Sequence, residues 1–181
     1  GFYPGSLWYA YELTGNDTLK TWAIQYTNLL NPVRYYTGTH DLGFMVNCSY
    51  GNAERLAPND TIAAVMKETA DNLCGRFNDS ISAIRAWDIG TWNFPVIIDN
   101  MMNLDLLFNV AKATGNNSYK DIAVKHAMTT MNNHFRPDYT CWHVVSYNND
   151  GTVEKKQTFQ GKNDDSSWAR GQAWAVYGYT A

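Results

Sequence analysis

Two carboxylates, Asp41 and Asp99, are the residues whose type and setting could do chemistry. Asp99 closes the run Phe94-Pro95-Val96-Ile97-Ile98, where the apolar pattern reads as interior. An ionised carboxylate is costly to bury unless it is paired, hydrogen-bonded or turned toward a polar cavity. A desolvated carboxyl also holds its proton to higher pH, which a general acid requires. The plainer reading is a helix cap, since Asp99 stands just before the helical run Asn100-Met101-Met102-Asn103-Leu104. Asp41, in His40-Asp41-Leu42-Gly43-Phe44, opens another expected helix and reads in the same two ways. Both stand at the starts of alternate helices, at one end of a hairpin stack, so they could converge. Paired carboxylates in a sugar-sized cleft are the usual equipment of glycoside hydrolysis.

Further along lie polar and aromatic residues that could complete such a cleft. His143 sits between Trp142 and Val144 in a strand-like run. Gln160-Gly161 precedes Asp164-Asp165-Ser166-Ser167-Trp168, which leads into Arg170 and Trp174. Asp164 or Asp165 is expected to cap the last helix. An arginine in a helix's first turns opposes the macrodipole, so Arg170 needs a carboxylate of the protein or an anionic ligand. Aromatic residues make up 14% of the chain, with seven Trp and twelve Tyr. Such side chains offer flat faces with polar tips, suited to sugar rings, and they equally suit an aromatic-rich helical core.

The elements that must hold these residues are mostly helices, and they recur. Asn16-Asp17-Thr18, Asn59-Asp60-Thr61 and Asn116-Asn117-Ser118 each place cap residues before an apolar-periodic run. Thr14-Gly15 and Thr114-Gly115 supply the glycine that closes the preceding helix. The unit of helix, tight turn, helix returns about every 50 residues, as in stacked helical hairpins. Helices are expected near 4–13, 17–29, 41–50, 59–75, 95–113, 118–134 and 165–181. Residues 77–92 read as loop-rich. Residues 142–157 read as a β-hairpin around Asp150-Gly151. No linker divides the chain, so one domain is expected over 1–181, a toroid of hairpins with its site at the loop-rich mouth, or a flat solenoid. Gly1-Phe2-Tyr3-Pro4-Gly5 and the closing helical run read as the interior of a longer protein.

Composition excludes several classes. The net charge is −3 and no basic stripe is present, which disfavours nucleic-acid binding. No apolar run of about 18 residues exists to span a membrane. Three cysteines (Cys48, Cys74 and Cys141) without a C-x-x-C pair suggest neither a zinc site nor a disulfide framework. That pattern fits a cytoplasmic setting and leaves a periplasmic one open.

The segments His-Asp-Leu-Gly-Phe, Ile-Ile-Asp-Asn-Met-Met-Asn-Leu, His-Val-Val, Thr-Phe-Gln-Gly and Asp-Asp-Ser-Ser-Trp-Ala-Arg-Gly-Gln-Ala-Trp together resemble the unsaturated glucuronyl hydrolases of glycoside hydrolase family 88. The resemblance covers essentially the whole chain. It implies an all-α (α/α)6 toroid, of which this chain supplies about half, and a substrate ending in a 4,5-unsaturated uronic acid left by a polysaccharide lyase. It further implies Asp99 as general acid and Asp41 as the second essential carboxylate. His40, His143, Gln160 and Arg170 become polar pocket residues, and Trp87, Trp168 and Trp174 its aromatic walls. No metal or cofactor is implied. The related unsaturated rhamnogalacturonyl hydrolases share the toroid and the chemistry, and a saccharide-binding but inactive half-barrel is the other alternative.

Overall fold

The computed structural model describes residues 1–181. Its helices are α1 (Phe2–Thr14), α2 (Asp17–Asn28), α3 (Asn52–Leu56), α4 (Asp60–Cys74), α5 (Asn100–Thr114), α6 (Asn117–His134) and α7 (Ala169–Thr180). A 3-10 turn at Asn31–Tyr35 and a π-helical segment at Gly43–Gly51 complete the helical part. The inner row runs α1, π-segment, α5, α7, each packed on the next; α2, α4 and α6 back α1, the π-segment and α5 from outside. This is the hairpin stack that the repeat implies.

The caps form as the sequence dictates. Asn16, Asn59 and Asn116 each accept a backbone N–H of the following first turn through their side chains. Gly15 (φ 66°) and Gly115 (φ 71°) take the left-handed conformation that ends α1 and α5. Helix α4 buries Ile62, Val65, Met66, Ala70 and Leu73, one apolar stripe at helical spacing. These join Trp8, Leu42, Val46, Ile98, Leu106 and Leu107 in the main core.

Several elements depart from the sequence reading. Residues 95–97 form a strand, not the first turn of α5. Strands β3 (Pro95–Ile97), β4 (Val144–Tyr147) and β5 (Val153–Gln157) make one antiparallel sheet in that order, so the expected hairpin gains a third strand. A small pair, β1 (Phe77–Asn78) with β2 (Ala83–Ile84), lies within the expected loop region. The expected helix at 41–50 winds as π-helix. There a Cβ on Gly43 would lie 2.5 Å from the Asn103 Cα, and the Asn103 Oδ1 accepts the Phe44 amide at 2.7 Å. Helix α7 begins at Ala169, four residues later than expected, and neither Asp164 nor Asp165 caps it. The Asp164 carboxylate instead accepts the Thr158 N–H at 2.8 Å, inside the preceding loop.

Two buried histidines lock the sheets to α6. The His126 Nδ1 accepts the Ile84 N–H at 3.0 Å, and the His134 Nε2 donates to the Val96 carbonyl at 3.2 Å. Burial pushes both imidazoles down to a pKa of about 3, so they stay neutral.

Candidate active site

Asp99 occupies the N-cap position of α5, yet its side chain caps nothing. The backbone closes the helix start itself: the Met101 and Met102 amides reach the carbonyls of Ile98 and Asp99 at 3.2 and 3.0 Å. The carboxyl is therefore free of the structural role that the sequence left open. It is 13% exposed, and its buried Oδ2 has no hydrogen-bond partner. Burial raises its pKa to about 6; the nearby Asp41 charge adds to the rise, and His40 and Arg170 oppose it.

The sheet register brings His143 to Asp99. Ile97 pairs with Val144, and the Ile98 amide donates to the His143 carbonyl at 3.1 Å. The His143 Nε2 lies 3.8 Å from the Asp99 Oδ2. The amides of Phe159 and Gln160 both donate to the His143 Nδ1, at 3.0 and 3.2 Å. Nδ1 thus carries the lone pair, and the ring proton sits on Nε2, toward Asp99. Burial lowers the His143 pKa to about 4, with the Arg170 and His40 charges assisting, so the ring is a neutral donor.

Asp41 is half exposed and does not cap the π-segment. Its Oδ2 accepts the Thr39 hydroxyl at 3.1 Å, and its Oδ1 lies 3.3 Å from the His40 Nε2. Burial alone would raise this carboxyl; His40 and Thr39 outweigh it and hold the pKa below the usual value. The two carboxyls thus differ in kind: Asp41 is an anion, and Asp99 keeps its proton up to about pH 6.

Asp41, Asp99, Arg170 and Trp174 line one cleft of about 560 Å³, with Phe2, Tyr36, Thr39 and Phe44. Arg170 touches no carboxylate; its guanidinium donates to the Gln160 Oε1 at 2.7 Å and lies 4.4 Å from the Trp168 ring centre. Trp168 packs on His143 at 4.5 Å. Trp174 meets Phe44 at 5.1 Å and stacks parallel to Phe2 at 6.4 Å. The other expected residues do not line this cleft: His143 is buried, and Gln160 and Trp168 meet it only through Arg170. His40 is fully buried behind Asp41. Trp87 sits edge-on to His143, in a cluster with Trp92 and Phe159. Sequence reading missed Phe2, Tyr36, Phe44, Trp92 and Phe159, which carry no local pattern. A larger concavity of about 930 Å³, between α1, the π-segment and α5, contains neither carboxylate.

No family model matches the chain. The unsaturated glucuronyl hydrolase of Formosa agariphila is 48% identical to it over 99% of the chain and 46% of the relative. The unsaturated chondroitin disaccharide hydrolase of Streptococcus pyogenes is 35% identical over 98% of the chain and 46% of the relative. A crystal structure of an unsaturated glucuronyl hydrolase specific for heparin superposes with a TM-score of 0.97. It is 49% identical, over 99% of this chain and 48% of that one. Over nearly its whole length the chain is similar to unsaturated glucuronyl hydrolases. It spans about half the length of the curated relatives it matches. Unsaturated glucuronyl hydrolases have an α/α toroid fold, and the hairpin stack described above is a sector of that toroid, not a flat solenoid.

Proposed function

We propose that the protein removes a 4,5-unsaturated uronic acid from the non-reducing end of glycosaminoglycan-type oligosaccharides, and that residues 1–181 are part of its catalytic domain. The observation that carries this reading is the uncapped Asp99 carboxyl, which keeps its proton to a pKa of about 6 beside an ionised Asp41.

The C4=C5 bond of such a uronate is a vinyl ether, electron-rich at C4. Asp99 protonates C4, and the cation that forms at C5 is stabilised by the ring oxygen. Water adds at C5 and gives its proton to the Asp99 carboxylate, which is ready for the next cycle. The C5 hemiketal opens to a ketone, and the C1 hemiacetal releases the following sugar. No displacement occurs at C1, so the carboxylate separation that distinguishes retaining from inverting enzymes is irrelevant here. The Nε2–H of His143 needs to close by about 1 Å to bond Asp99, and it is otherwise free to donate to a substrate hydroxyl or the water. Asp41 takes ring hydroxyls. Arg170, with no carboxylate of its own, suits the uronate carboxylate, and Gln160 steadies the guanidinium. His40 sets the charge of Asp41 from behind. Trp168 and Trp174 offer stacking faces, and Trp87 supports His143.

The test is ultraviolet absorbance of unsaturated chondroitin, heparin and rhamnogalacturonan disaccharides incubated with the protein. Loss of the C4=C5 chromophore from a uronyl-hexosamine, abolished by Asp99→Asn, is the expected result. Consumption of the uronyl-rhamnose substrate alone moves the protein to the rhamnogalacturonide class. Binding without any loss of absorbance contradicts the hydrolase.

A further inference from the structure

The orientation of His143 depends on a loop that His143 does not belong to. The Phe159 and Gln160 amides aim at its Nδ1 only while residues 158–168 keep their course. One residue outside the cleft grips that loop. Arg136, just past the end of α6, donates through Nη2 to the carbonyls of Asp164 and Ser166, at 3.0 and 3.3 Å. Through Nη1 it donates to the Cys141 carbonyl at 3.1 Å and the Thr140 hydroxyl at 3.2 Å, just before His143 in the chain. Its guanidinium lies 3.8 Å from the ring centre of Trp142, the residue preceding His143.

We propose that Arg136 is a positioning residue: by bridging the chain just before His143 to the loop that covers it, its guanidinium keeps the His143 ring proton on Nε2, the nitrogen that faces Asp99. The relay is continuous. Arg136 holds the Asp164 backbone; the Asp164 carboxylate holds the Thr158 amide at 2.8 Å; the Thr158 hydroxyl holds the Gly161 amide at 2.7 Å; the two amides between them hold Nδ1. No carboxylate contacts Arg136, so its donors are committed to backbone and hydroxyl oxygens. A guanidinium reaches two chain segments at once in one plane, which an ammonium cannot. With the loop released, Nδ1 loses its donors and can carry the proton itself. The group facing Asp99 is then an acceptor instead of a donor.

The significance for turnover rests on the hydrolase reading; the effect on the ring does not. The experiment records long-range proton–nitrogen spectra of the protein labelled with ¹⁵N-histidine, as wild type, Arg136→Met and Arg136→Lys. Wild-type His143 is expected as the Nε2–H tautomer alone. Arg136→Met is expected to show both tautomers at His143, while the buried His126 and His134 keep their signals and report an intact fold. Arg136→Lys is expected between the two. In the absorbance assay kcat falls about ten- to hundredfold in Arg136→Met with KM little changed, and Arg136→Lys recovers part of it. An unchanged His143 tautomer in a folded variant overturns the proposal. If Arg136→Met does not fold, Arg136→Lys decides alone, a wild-type tautomer there counting against it. If the wild type turns over no substrate, the hydrolase reading fails, and the tautomer measurement still decides the role of Arg136.

Discussion

Asp99 carries opposite demands at the scale of one residue. Its pKa of about 6 in the folded chain, against an ordinary 3.8, means the folded state binds this proton more tightly than the unfolded chain does. The sign follows: the contribution of Asp99 to stability is greatest with the carboxyl protonated, and it falls as pH rises from about 4 through 6. The penalty at pH 7.5 is about 2–3 kcal/mol. Asp99→Asn removes it. The variant is therefore expected to unfold at higher urea than wild type at pH 7.5 and at nearly the same urea at pH 4, while losing about 10²–10⁴ in turnover. Equal urea midpoints at pH 7.5 count against a strained carboxyl. If Asp99 is the acid, kcat/KM also declines above about pH 6, and a profile rising to pH 8 contradicts that role.

The chemistry depends at the scale of elements on places where two segments meet closely. Gly43 against Asn103 is one. Gly43→Ala sets a methyl 2.5 Å from the Asn103 Cα and 2.7 Å from the Oδ1 that holds the Phe44 amide. A destabilisation of about 1–3 kcal/mol is expected, read as a lowered urea midpoint. Asn116→Ala removes only a cap, for about 1 kcal/mol, and should leave turnover alone. Much of this architecture was legible: three asparagine caps and two left-handed glycines are local chemistry, written in the residues that perform it. Strand β3 was not, since Pro95-Val96-Ile97 suits strand or helix until β4 supplies a partner. The start of α7 was misread because the carboxylate of Asp164 serves its own loop. Asp41 and Asp99 were legible as carboxylates in apolar company. Phe159 was not, since it reaches Trp87 and Trp92 from a distant segment.

At the scale of the whole molecule, all four histidines are buried, and three of them resist protonation strongly. Their folded pKa values of about 3 to 4 lie below the ordinary 6.5. Stability is thus fully present above pH 6.5 and is lost as pH falls, because the unfolded chain takes up protons that the folded chain refuses. Three such groups give a slope approaching 4 kcal/mol per pH unit well below pH 6.5, and Asp99 offsets about 1.4 of it between pH 6 and 4. The urea midpoint is expected to fall steadily from pH 6.5 to 4.5, and a flat midpoint there contradicts neutral buried imidazoles.

The two left-handed turns have a practical meaning at this scale. Helices α1 and α5 start at the cleft, with Phe2 and Asp99, and run about 20 Å to the Gly15–Asn16 and Gly115–Asn116 corners. Both corners are exposed, with open space beside each glycine. A short inserted peptide, a fluorophore or a surface tether placed there leaves the cleft facing outward. These corners are the natural handles for immobilising the protein on a support or for joining it to a second enzyme.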